Sequence, residues 1–430
     1  MPRRALSRAS PRIAFGDVVI NSTADARPLE PPHIDTGPAP RLRLREEASV
    51  LLDLPWELPL ESWPSSLPFV DIAVGESRHL VLFLNIDGAT YAVKEEPLEV
   101  ARREFLVLRR LEDAALPAVE AVGLSESPER STGIVATRFL ASSIQVRRLL
   151  AKAPQAATWA RERILDAMAS LLVDLHRAGV FWGDGSLNNT LFRRDGDRLQ
   201  AYLVDAETSE LLPSLSDGQR LYDLDILLEN VGFGLADLAA IGGRENGDDE
   251  AISAVGNLER RYKELWHELH DRPEVRMSDR HAVRARVRRL NELGFSVDEI
   301  NLEPSDPTGS VRLSVVVAGR RFHSRELEER TGIVALENQA RVLLNDLREY
   351  KAWIEWSENR TVSSRRANER WVQDVFRPTT ARLAPVAVGG DLVQAYCDLL
   401  EHKWLLSEQV GRDVGLEAAL SSYLALVGPA

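Results

Sequence analysis

The stretch from His176 to Glu207 constrains this chain most. It contains the run GDGSLNNTLF and, a few residues later, LVDAE. An acid, Asp184, is followed five residues on by an amide, Asn189, and then by the apolar triplet Thr190 to Phe192. A second acid, Asp205, closes a short apolar strand, Ala201 to Val204, after a polar turn at Asp195 to Asp197. Phosphoryl transfer asks for such a set. One carboxylate orients the attacking hydroxyl and accepts its proton, while an amide and a second carboxylate hold Mg2+ on the phosphates. Oxygen donors suit Mg2+, which keeps several waters and takes few protein ligands.

Composition narrows the partners. At 430 residues, 44% hydrophobic and 28% charged, the chain has room for two or three domains with sizeable cores. A net charge of -13 argues against non-specific nucleic-acid binding, which rests on excess Lys and Arg, and against docking on an anionic membrane. The single cysteine, Cys397, excludes an internal disulfide and fits a reducing compartment. No apolar run reaches the length of a membrane span, and the start MPRRALSRASPR lacks a signal-peptide core, so a cytoplasmic protein is expected.

Along the chain, residues 1–45 mix Arg, Pro, Ser and Ala without periodicity and read as a mobile tail. Residues 46–66, with Trp56, Trp63 and three prolines, read as an extended linker packed on the next domain. From Leu67 the pattern turns strand-like. Asp87-Gly88 between two β-rich runs signals a hairpin whose second strand ends in YAVK at Lys94. A helix follows, apolar at Phe105, Leu108 and Leu111, in which Glu104 is placed to pair with Lys94, with Glu99 and Glu112 as competing choices. Two further strands lead to a connector at Thr137 to Ala141. A long amphipathic helix, roughly Ala156 to Ala178 with Gly179 as its cap, leads into the acid-amide-acid stretch. Beyond it another apolar helix carries Asp223 and Asp225, either of which can brace the loop from beneath.

The remainder is mainly helical with a small β element at VDEINLEP and VRLSVVVAGRRF. Arg276, Arg280, Arg284 and Arg288 recur at four-residue intervals, read as a solvated stripe neutralised by nearby acids, with an anionic substrate or an acidic surface of the protein itself as alternatives. His267 and His270 lack an evident third metal ligand. Asp398, Glu401 and His402 read as helix surface, and Trp353, Trp356, Trp371 and Trp404 as core anchors.

Taken together, YAVK, the helix carrying Glu104, LHRAGVFWGDGSLNNTLF and LVDAE resemble the protein-kinase-like superfamily. They are most similar to its bacterial lipopolysaccharide kinase and aminoglycoside phosphotransferase branch, over about residues 68–270. Residues 275–430 resemble an uncharacterised actinobacterial domain of unknown function. The resemblance implies an α+β chain: a two-lobed kinase-like fold, N-lobe 67–141 and C-lobe 142–274, then a mainly helical C-terminal accessory domain at 275–430. By the same resemblance Asp184 is the catalytic base, Asn189 and Asp205 are the metal ligands, and Lys94 with Glu104 positions the phosphates. Gly75 and Ser77 lie in the turn over the nucleotide, and Thr137 and Phe139 lie beside its base. ATP, Mg2+ and a hydroxyl acceptor on a small molecule or glycoconjugate follow, with a possible protein partner for the C-terminal domain. The chain departs from the pattern at Trp182, where His is usual, at DAE in the metal turn, at Ser186, and in a turn whose one glycine is Gly75. These departures keep a pseudokinase, a nucleotide sensor or scaffold, as the alternative.

Overall fold

The computed structural model of the chain describes residues 41–72, 79–144, 146, 157–242, 247–276, 279–305 and 310–428. The chain divides into two compact units, Met1–Phe192 with Ala201–Arg261, and Arg193–Gln200 with Tyr262–Ala430.

In the first unit β1 (Arg41–Leu44), β2 (Val81–Ile86), β3 (Ala89–Pro97), β4 (Glu120–Ser127) and β5 (Thr132–Arg138) form one antiparallel sheet in the order β1-β4-β5-β3-β2. Residues 41–44, expected in the tail, pair along β4 from Arg41 opposite Glu126 to Leu44 opposite Gly123. Their alternation of Arg with Leu is too short to stand out in sequence, yet Leu42 and Leu44 both reach the core. Residues 46–66 supply two short 3-10 helices, Glu46–Leu51 and Leu60–Ser62. Trp56 and Trp63 are buried there, edge to face at 5.7 Å, against Leu84, Tyr91, Val93 and Val122. Each indole N–H is satisfied locally, by Leu51 O and Leu58 O.

The β2–β3 turn has Asp87 and Gly88 both at positive φ, 51° and 79°, the backbone that a tight primed hairpin turn requires. Strand alternation then sorts β3. Tyr91 and Val93 enter the core with the tryptophans, while Lys94 and Glu96, two residues apart, share the opposite face. Helix α1 (Leu98–Asp113) buries Ala101, Glu104, Val107, Leu108 and Leu111, a stripe at helical spacing that includes one carboxylate. Ala101 packs with Leu124 and Val135 of the sheet.

The lower part of this unit begins with α2 (Ala157–Arg177), which ends before Gly179 at φ 78°. Then come β6 (Val180–Phe181), β7 (Thr190–Asp195), β8 (Arg198–Leu203), β9 (Glu210–Leu211), α3 (Asp217–Ile241) and α4 (Gly247–His270). Strands β6 and β9 pair, as do β7 and β8. A full capping box at Ser216 and Gln219 starts α3.

In the second unit β10 (Glu274–Arg276), β11 (Val297–Pro304) and β12 (Ser310–Val317) form a three-stranded antiparallel sheet in the order β10-β12-β11. The helices are α5 (Arg280–Glu292), α6 (Phe322–Thr331), α7 (Glu337–Ser357), α8 (Ser364–Arg370), α9 (Arg377–Leu383), α10 (Leu392–Val410) and α11 (Leu416–Val427), with a π turn at Trp371–Phe376. Their core gathers Leu343, Leu344, Leu347, Trp371, Tyr396, Leu399 and Leu420. Of the four tryptophans read as core anchors, only Trp371 is buried. Trp353, Trp356 and Trp404 are 57%, 80% and 61% exposed, because they sit off the apolar stripes of α7 and α10. Residues 193–200 count with this unit. Asp195 accepts hydrogen bonds from Asn338 N and Gln339 N at the start of α7, and Arg194 pairs with Asp398 at 2.7 Å. Asp398 and His402, read as helix surface, are thus partnered: Asp398 by Arg194 and Gln394, and His402 by Ser422.

Candidate active site

The site lies within the first unit and begins with one ammonium group. Lys94 Nζ stands 3.1 Å from Glu104, 3.1 Å from Asp205, 3.2 Å from Glu96 and 3.3 Å from Glu207. The expected pair of Lys94 with Glu104 is brought together, and the competing acids are engaged elsewhere: Glu99 with Arg102, Glu112 with Arg45 and Arg109. Burial works against the charge on Lys94, but Glu104, Asp205 and Glu96 outweigh it and hold the amine above its ordinary range. Glu96 moves the other way for a carboxylate. Its burial, and then the neighbouring Glu104, push it well above the usual carboxylate range.

The backbone around Asp205 is fixed on several sides. Val204 N donates to Asn189 O, tying the strand before Asp205 to the predicted amide ligand. Ala206 N donates to Glu104 Oε1, Glu207 N donates to Asp205 Oδ1, and Arg103 donates twice to Glu207 O. Helix α1 therefore holds both Lys94 and the turn that carries Asp205.

Asp184 is half-buried, and its carboxylate is held by two amides. Asn189 Nδ2 donates to Oδ2 at 3.2 Å and to the Asp184 carbonyl at 3.0 Å. Asn230 Nδ2, from α3, donates to Oδ1 at 3.2 Å and to Gly185 O at 3.1 Å. Sequence reading missed Asn230, which lies 46 residues downstream in a helix without a local motif. Beneath the loop, Asp223 of α3 accepts from Trp182 N at 2.7 Å and Gly183 N at 2.9 Å, and lies 3.0 Å from His176 Nε2. Of the two acids weighed for that brace, Asp223 makes it. Gly183 takes φ 79°, and a Cβ there would meet Thr208 O at 2.9 Å. Trp182, standing where a histidine was expected, is fully buried, and its carbonyl accepts from the Thr208 and Ser209 hydroxyls. The tryptophan thus takes over packing, while His176, six residues earlier, meets the bracing acid.

Thr137 lies in β5 opposite Ala92, and Phe139 follows it with its N–H donated to Thr90 O and its ring edge-on to Phe83 at 6.0 Å. Gly75 and Ser77 lie outside the described residues. His270, weighed above with His267 as a metal pair, instead stacks on Trp266 at 4.0 Å.

This geometry can be set beside known proteins. Residues 90–241 match the Lipopolysaccharide kinase (Kdo/WaaP) family model. Residues 264–427 match a Domain of unknown function (DUF4032), nearly the span of the second unit. Among solved structures, the chain is similar to "WaaP in complex with acyl carrier protein", at 23% identity over 53% of this chain and 99% of that one, with a TM-score of 0.36. The comparison with curated proteins finds no match. The resemblance to the lipopolysaccharide-kinase branch holds over residues 90–241, and the mixed helix-and-sheet fold class holds for the chain. Among the described residues no helix is long and apolar enough to cross a membrane.

Proposed function

We propose that the chain is an ATP- and Mg2+-dependent kinase that phosphorylates a hydroxyl of a small molecule or glycoconjugate. One observation carries the reading: Lys94 is held between Glu104 and Asp205, 3.1 Å from each, in a stretch that matches a kinase family. The donors fit the metal. Asp205 offers a carboxylate, and Asn189, which donates through Nδ2, keeps Oδ1 as a ligand atom. When bound, Mg2+ neutralises charge on the phosphates. Lys94, fixed by Glu104, orients the α and β phosphates. Asp184, aimed by Asn189 and Asn230, lines up the acceptor hydroxyl and takes its proton. Transfer of label from γ-labelled ATP to a glycoconjugate or small-molecule acceptor tests this. The wild type should transfer it, and Asp184→Ala should lower turnover at least about 100-fold, the lower range for a lost general base. Equal transfer by the variant would overturn the assignment.

The pseudokinase reading draws on the crowding of Lys94. Glu96 and Glu207 stand 3.2 and 3.3 Å from the ammonium that would have to reach the phosphates. Nucleotide binding without transfer to any acceptor would favour it.

A further inference from the structure

The four carboxylates around Lys94 outnumber what phosphate positioning uses. Glu104 and Asp205 have roles in that scheme, whereas Glu96 and Glu207 have none, and each brings a further carboxyl group to within 3.3 Å of Lys94. His79 Nε2, just ahead of β2, lies 3.2 Å from Glu207 Oε2. One donor atom from each of His79, Glu96 and Glu207 falls within 4.8 Å of the others. A second observation points the same way. Glu96 is 2% exposed, and its carboxyl group faces the Lys94 ammonium at 3.2 Å and the carboxyl of Glu104, while Glu207 Oε2 has Lys94 at 3.3 Å and His79 at 3.2 Å. Lys94 faces both acids at ion-pair distance, but one ammonium shared by four carboxylates leaves the cluster short of positive charge.

We propose that His79, Glu96 and Glu207 bind a divalent transition-metal ion of the Zn2+ or Mn2+ type, at a site separate from the Asn189 and Asp205 pair. The imidazole sets the preference. One nitrogen with two carboxylate oxygens suits a borderline ion, whereas Mg2+ favours oxygen donors and water. Donors about 2.0–2.2 Å from such an ion lie closer together than the present spread, so the three side chains draw in slightly when it binds. The ligands come from three places in the chain: the lead-in to β2, β3, and the turn after β8. A metal there ties His79 to the turn that carries Asp205. It also takes Glu96 and Glu207 off Lys94, leaving that amine to Glu104 and Asp205. The site stands on its own donors and does not depend on the phosphotransferase reading.

The test is calorimetric titration of the full-length, metal-stripped protein with Zn2+, without nucleotide and with Mg2+ in excess. A parallel Co2+ titration is read by visible absorption. One equivalent should bind. His79→Ala and Glu96→Gln should each weaken it at least about tenfold and change the Co2+ band, while Asp184→Ala retains both. The half-buried His79 makes the first variant safe for the fold. Zn2+ that Mg2+ displaces, or that both ligand variants bind as the wild type does, would overturn the proposal. Failure of kinase activity with this metal retained would leave it standing.

Discussion

Asp184 owes its aim to two amides, and the less visible of them makes the sharper test. Asn230 is half-buried on α3, so Asn230→Ala should leave the fold intact while freeing one carboxylate oxygen and Gly185 O. Turnover should fall about 10–100-fold with the KM for ATP nearly unchanged, as expected for a misplaced reacting group. Steady-state kinetics reads the split. Beneath the loop, burial holds His176 below the ordinary imidazole value, with Asp223 pulling weakly the other way. The folded chain therefore binds fewer protons than the unfolded chain between that lowered value and about 6.5. His176 contributes its full stability above about pH 6.5 and loses it as pH falls through the folded value. Thermal unfolding from about pH 7.5 down to 5 should show a decline that His176→Gln flattens. At this scale fixed offsets singled out Asp184, Asn189, Asp205 and Lys94, and the structure brings Asn189 to Asp184 and Lys94 to Asp205. Glu96 was written beside Lys94, but its meaning needed the pairing of β3, which puts residues two apart on one face. Asn230 had no such signal, since its partner is 46 residues away.

At the scale of elements, alternation and turn chemistry were the readable parts. Asp87-Gly88 marked the hairpin, and the apolar positions Leu108 and Leu111, with half-buried Phe105, marked the helix that brings Glu104 to Lys94. Burial was less readable, because aromatic residues look alike until neighbours are known. Trp56 and Trp63 sit in a proline-rich segment yet fill the core behind β3, whereas Trp356 lies in a strongly periodic helix and is 80% exposed. Trp56→Ala should therefore cost the first unit about 3–5 kcal/mol. Trp356→Ala should stay within about 0.5 kcal/mol. Denaturant unfolding of the two variants beside the wild type measures the contrast, and comparable losses would contradict this placement of the core.

Across the whole molecule, the change of composition near Arg272 announced a second domain, but the compact units part earlier, between Arg261 and Tyr262 inside α4, and residues 193–200 group with the later one. That grouping rests on Asp195, Arg194 and Gly196 meeting Gln339, Asp398 and Gln394, partners more than a hundred residues away that no local pattern can reveal. The charge stripe was legible as a solvated face, since Arg276, Arg280, Arg284 and Arg288 are all exposed. The arginine of that helix paired with Glu268 is Arg286, which lies off the stripe. The chemistry proposed for the molecule rests on the first unit alone, on the Lys94 cluster and the Asp184 loop. Its most direct test is a calorimetric titration with ATP, with and without Mg2+, on the wild type beside Asp205→Ala. Binding should be strengthened by Mg2+ in the wild type and lose that dependence in the variant. Absence of binding, or binding indifferent both to Mg2+ and to Asp205, would contradict it.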